Sequence, residues 1–155
     1  MLTLESFKLL NAKANRFEAS TGGTPDITFH EVSDVLAQMS QPAAAYARLR
    51  YANQERYARP VLYHIRREVL RETGDPILKD YWQYMTRLAL HLMVAENGLT
   101  NRMKAEAIHV RWWTKNNERD LQQCLYIVDQ LDFEIRSELK AWNERLSIGE
   151  IEPIR

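Results

Sequence analysis

Residues 117–146, NERDLQQCLYIVDQLDFEIRSELKAWNERL, decide the fold class. The stretch holds no Gly or Pro. Leu121, Val128, Ile135 and Trp142 recur every seven residues, and Leu125, Leu139 and Leu146 fill a neighbouring row. This periodicity predicts one long helix, about 45 Å from end to end at about 1.5 Å per residue. Cys124, Tyr126, Ile127, Leu131 and Phe133 widen the apolar band beyond a strict coiled-coil seam. Contacts on more than one side are therefore expected, with other helices of the chain or with a second copy.

The segments before it carry the same signature. Thr100 has the chemistry of an N-cap for a helix to about Trp113, and Asn116 or Asn117 introduces the long one. Asp75 caps and Pro76 opens a helix that Asn97 and Gly98 end. Ile77, Tyr81, Met85, Leu88 and Leu92 line one face of it, Trp82, Ala89 and Met93 stand beside them, and Leu90 and Val94 lie behind. It should be the most buried of the set. Residues 42–73 are rich in Ala, Arg and Leu; Pro60 divides them into two helices or kinks one, and Gly74 stops the run. A short helix to Met39 presents Val32, Val35, Leu36 and Met39, opened by a capping box at Thr28-Phe29-His30-Glu31. Ser40 and Pro42 signal the next start. At the beginning, Leu4, Phe7, Leu10, Ala14 and Phe17 predict a helix over about residues 3–18, and STGGTPD, residues 20–26, reads as a loop. No strand pattern of any length occurs. The expectation is an all-α single domain over residues 1–155, a bundle of six or seven helices with a long C-terminal helix over about 117–146.

The composition suits one ordinary globular domain, 155 residues with 45% hydrophobic and 27% charged. No apolar run is long enough to span a bilayer, and MLTLESFKLL lacks a cationic start followed by a signal-peptide core, so a cytoplasmic location is expected. The one cysteine, Cys124, excludes an internal disulfide and reads as a core thiol. Lys plus Arg and Asp plus Glu are both 21, yet the charges are segregated. Seven arginines and no lysine stand in residues 43–71, against Glu55 and Glu68, while residues 117–152 carry nine acids and four bases. Such a division suits either a partner of opposite sign or mutual attraction of two parts of one fold.

Catalytic and metal-binding patterns are missing from the sequence. His30, His64, His91 and His109 are scattered outside any ligand spacing, and no Gly-rich phosphate loop, GxSxG or cysteine cluster is present. The chain reads as non-enzymatic, with no cofactor, no metal and no small-molecule substrate.

Two stretches are candidate interaction surfaces. If residues 60–73 are helical, Val61, Ile65 and Val69 face inward, leaving His64, Arg67 and Arg71 outside at spacings of three and four. On a continuous preceding helix Arg48, Arg56 and Arg59 share about a quarter of the circumference, with Arg50 on the far side beside Tyr46 and Tyr57. Arginine donates in a fork that matches phosphate, and nearby tyrosines can stack or hydrogen-bond at a nucleic-acid backbone. The same arginines equally suit ion pairing with the acidic final segment. The second stretch, AENGLTNRMKAEAIHVRWWTK, residues 95–115, has the outline of a helix-turn-helix whose second helix carries Arg102, Lys104, Arg111 and Lys115. Val94 and Lys104 depart from that motif, and an ordinary helical hairpin is the other reading. Trp112 and Trp113 point about 100° apart on a helix, so one is expected inside and the other at a partner.

The segment ITFHEVSDVLAQMSQPAAAYARLRYA, residues 27–52, resembles the opening region of bacteriophage antitermination (Q-like) regulators, in which a short capped helix precedes an Ala- and Arg-rich one. Many of those proteins carry a cysteine zinc motif, which a chain with Cys124 alone lacks, so no metal follows. The resemblance implies a small protein acting on host transcription through DNA and RNA polymerase. The leading expectation is thus a phage-type regulator contacting nucleic acid, or a host nucleoprotein complex, through Arg48, Arg56, Arg59, His64, Arg67 and Arg71. The other is a protein-interaction module, possible as a homodimer, using the long helix and the corner of Trp112 and Trp113.

Overall fold

The computed structural model describes residues 1–14, 29–73 and 79–149. It is all-α: six α-helices and an 11-residue 3₁₀ helix, with no strand among the described residues. The 3₁₀ helix is Leu4–Ala14. The α-helices are α1 (Phe29–Ala37), α2 (Gln41–Arg50), α3 (Ala58–Thr73), α4 (Lys79–Ala95), α5 (Asn101–Ala107) and α6 (Lys115–Ser147), and a 3₁₀ turn, Glu55–Tyr57, precedes α3. The expected loop at 20–26, the cap at Thr28, the stop at Gly74 and the start signals Asp75 and Pro76 lie outside the described residues.

The chain groups into two compact units, one of Met1–Ala58 with Asp132–Arg155 and one of Arg59–Leu131. The long helix contributes residues 115–131 to the second and 132–147 to the first. Its heptad row is buried throughout, with Leu121, Val128, Ile135 and Trp142 all at or below 6% exposure. Its cap falls two or three residues earlier than Asn116 or Asn117: Thr114 is the cap. The Asn117 amide donates to Thr114 Oγ1 at 3.2 Å, and the Thr114 amide donates back to Asn117 Oδ1 at 2.9 Å. This is a reciprocal capping box with Asn in the place usually taken by Glu or Gln.

In the first unit, Ser40 caps α2 as expected, accepting from the Ala43 amide at 3.3 Å. Its hydroxyl and amide donate in turn to the Glu134 carboxylate at 2.9 and 2.6 Å, fixing the start of α2 against the long helix. Asn143 takes Leu2 by both backbone groups, accepting from its amide and donating to its carbonyl, each at 2.8 Å. Residues 42–59 do not form a continuous helix. The helix ends at Arg50, Asn53 turns the chain in a left-handed conformation (φ 55°), and the Gln54 amide returns to the Arg48 carbonyl at 3.0 Å. Pro60 follows this break instead of making it. It sits in the first turn of α3, where a missing N–H costs nothing.

In the second unit, Thr100 caps α5, accepting from Met103 N at 3.2 Å. The helix expected to reach Trp113 stops at Ala107. The His109 amide bonds the Glu106 carbonyl at 3.2 Å and the Val110 amide bonds the Ala105 carbonyl at 3.0 Å. This is a Schellman closure, with His109 in the left-handed region at φ 59°. Tyr81 joins α4 to the long helix, donating to Asp120 at 2.6 Å while accepting from Asn117 at 3.1 Å. Cys124 is fully buried, and burial pushes its thiol up to about 12, the Asp120 carboxylate adding to the shift.

Candidate nucleic-acid interface

Val61, Ile65 and Val69 are completely buried, which fixes the rotation of α3 as the sequence predicts. The rest of the helix then has two polar flanks. His64, Arg67 and Arg71 lie on one, with Arg67 and Arg71 exposed and Arg71 beside Glu68 at 3.5 Å. Arg59 and Arg66 lie on the other, together with Tyr63. This second flank, of which the sequence pointed to Arg59 but not to Tyr63 or Arg66, borders a cleft of about 520 Å³ between α3 and α4. Arg59, Pro60, Leu62, Tyr63 and Arg66 form one wall, and Gln83, Thr86 and Arg87 the other.

Three arginines therefore border one concavity. Among the described residues none of the three has a carboxylate within ion-pairing distance, and none of the residues bordering the cleft is acidic. Arg59 and Arg87 are exposed and Arg66 half-buried; Tyr63 is 59% exposed. The buried Thr86 hydroxyl is committed to the Gln83 backbone carbonyl at 3.0 Å, while the Gln83 side chain is half-buried at the wall. Arg87 comes from α4 and carries no periodic signal with the arginines of α3. Only the packing of the two helices reveals the cluster.

Arg48 and Arg56 belong to the first unit and do not share a helix face with Arg59, because the helix that would align them ends at Arg50. Both instead lie over the ring of Tyr57, each 5.1 Å from its centroid. Arg50 is drawn inward. It donates to Tyr46 Oη at 3.0 Å and to Asp132 at 3.4 Å, and Asp132 also accepts from Tyr51 Oη and, at 2.7 Å, from Arg136 Nε. Of the seven arginines in residues 43–71, Arg50 is thus the one that ion-pairs with the long helix among the described residues.

The second candidate stretch is rearranged. With α5 only seven residues long, Arg111, Trp112 and Trp113 lie beyond it and Lys115 opens the next helix, so the helix-turn-helix outline is not met. The cause is the closure at His109, which ends the helix without a glycine. Lys104 and Trp113 face inward. The Trp113 indole donates to Glu118 at 2.8 Å, and Lys104, its side chain 17% exposed, stands 3.7 Å from the same carboxylate and over the Trp113 ring. Burial works to raise the Glu118 carboxyl, but the bonds from Trp113 and Gln122 with the Lys104 charge overcome it and hold the group below its usual range. Trp112 is the outward ring, 71% exposed beneath the Arg111 guanidinium at 5.4 Å; Arg102 and Lys115 are exposed as well.

No group of three or more His, Cys, Asp or Glu suited to a metal ion occurs among the described residues, and no described helix is long and apolar enough to cross a membrane. No family model, curated protein or solved structure matches the chain.

Proposed function

We propose that the chain is a non-enzymatic regulatory protein of phage type, working in the cytoplasm by contact with nucleic acid or a host nucleoprotein machine such as RNA polymerase. The observation that carries this reading is the uncompensated set Arg59, Arg66 and Arg87 around one cleft, with Arg67 and Arg71 on the opposite flank of α3. In a chain of zero net charge, cations without carboxylate neighbours mark where an anion would be drawn. Planar guanidinium forks suit phosphate oxygens. Fluorescence anisotropy with labelled oligonucleotides tests the reading: binding is expected at low salt and should weaken steeply as salt rises. Absence of binding to single and double strands at every salt concentration would end it.

A second reading, a protein-interaction module or homodimer, is favoured by Trp112, whose exposed ring is of the kind that anchors interfaces. It predicts an oligomer in light scattering, and Trp112→Ala should return that oligomer to monomer.

A further inference from the structure

We infer that the cleft between α3 and α4 takes a single-stranded segment of nucleic acid, its phosphates held by Arg59, Arg66 and Arg87 and one base laid against the Tyr63 ring. This rests on the polyanion reading above and makes it specific.

Charge comes first. Some arginines that this chain gathers meet an acid, Arg50 and Arg136 at Asp132 and Arg71 beside Glu68, while Arg48 and Arg56 share the Tyr57 ring. In the cleft three arginines border a recess with neither an acid nor an aromatic ring paired with them among the described residues, an arrangement that suits an incoming anion. Shape comes second. The basic groups edge a hollow of about 520 Å³, within the range of about 300–1,000 Å³ that small ligands occupy. A duplex carries its phosphates on a convex surface and keeps its bases stacked inside, so it would touch the rim and leave the hollow empty. A single strand can place a phosphate and an unstacked base inside together.

Chemistry comes third. Tyr63 is 59% exposed and, among the described residues, forms no ring pair with another aromatic and lies under no cation. An open ring beside a cluster of cations is the arrangement by which single strands are held without sequence preference, stacking supplying one part of the affinity and phosphate contact the other. The Gln83 side chain on the facing wall offers both a donor and an acceptor for a base edge.

The test compares a labelled mixed-sequence oligonucleotide, as a single strand and annealed to its complement, by anisotropy with the full chain at one moderate salt concentration. The single strand should bind at least about tenfold more tightly. Tyr63→Ala should weaken it about tenfold and Tyr63→Phe should leave it unchanged, because the ring and not the hydroxyl stacks. Arg87→Gln should weaken it several-fold, whereas Arg102→Gln, an equal loss of charge outside the cleft, should not. All three positions are solvent-accessible, so circular dichroism should show unaltered folding. Equal or tighter duplex binding, a neutral Tyr63→Ala, or an Arg102→Gln effect matching that of Arg87→Gln overturns the inference and leaves the polyanion reading standing. A nucleoside monophosphate that binds as tightly as the oligonucleotide overturns it in favour of a small phosphorylated ligand. Silence toward every probe removes both.

Discussion

Asp132 holds a side chain that lies 82 positions away in sequence, that of Arg50. Its carboxylate is buried and accepts from Tyr51, Arg50 and Arg136, so truncation strands the Tyr51 phenol and the Arg50 guanidinium, whose side chain is 13% exposed, while Arg136, 57% exposed, turns to water. Asp132→Ala should cost about 3 kcal/mol of unfolding free energy, the scale for breaking a buried charged pair, read from urea denaturation by circular dichroism. Asp132→Asn, which keeps the shape and an acceptor, should cost less. The same carboxylate governs behaviour in alkali. Burial, with Asp132 as hydrogen-bond acceptor, pushes the Tyr51 phenol far above its usual range, and burial with Asp120 does the same to Tyr81. A raised native pKa means that the unfolded chain loses these protons first. Stability should therefore be fully present below about pH 10 and fall progressively above it. Tyrosinate absorbance in native protein should show these two phenols ionising late, and the double variant Tyr51→Phe with Tyr81→Phe should flatten the alkaline decline. The sequence allowed pairing between the arginines of residues 43–71 and the acidic final segment, but it did not single out this pair. Arg50 and Asp132 each look like ordinary wet residues on their own helices, and nothing local says that they meet. Cys124 was legible as a core thiol, because a heptad neighbour in an apolar band has no other plausible surroundings.

Helix ends divide the readable from the unreadable at the next scale. Thr100, Ser40 and the inward row Val61, Ile65 and Val69 stand where their spacing and side-chain chemistry put them, since caps and apolar stripes act within one or two turns. The breaks at Asn53 and His109 are different. Both need a left-handed residue, and neither position offers the glycine that usually announces one. That hidden stop turned an apparent recognition helix into a seven-residue helix followed by a corner, and separated Arg56 and Arg59 from the helix of Arg48. The reciprocal cap on α6 gives the element-scale prediction. Thr114 both accepts from Asn117 and donates to it, the latter at 2.9 Å, and Asn117 also donates to Tyr81 at 3.1 Å. Thr114→Ala should destabilise the chain by about 1–2 kcal/mol, and Thr114→Ser, which keeps the capping hydroxyl, should change it by no more than about a few tenths. Asn117→Ala should exceed both, because it removes the cap and the Tyr81 contact together. Thermal melts of the three variants give the order directly.

For the whole molecule, the zero net charge turns salt dependence into a count. A chain with 21 acids and 21 bases exerts little general pull on a polyanion, so counterion release should report the contacts actually made. Three phosphate contacts through Arg59, Arg66 and Arg87 predict a slope of about −2 for log Kobs against log salt with a single strand, at about −0.7 per contact. Should Arg67 and Arg71 on the opposite flank join, the slope should approach −3.5 by the same rule of about −0.7 each. Arg87→Gln should make the slope shallower by about 0.7 while lowering affinity, and Arg102→Gln should change neither. Arg48 and Arg56 supply the discriminating case. They rest on Tyr57 in the other compact unit, so Arg56→Gln leaves the slope untouched if the α3–α4 cleft alone binds, and reduces it by about 0.7 if both units engage one strand. Anisotropy titrations of these variants, each repeated over a salt series, would thus assign the arginines one by one. A wild-type slope near zero would mean that the arginines of α3 and α4 hold no phosphate.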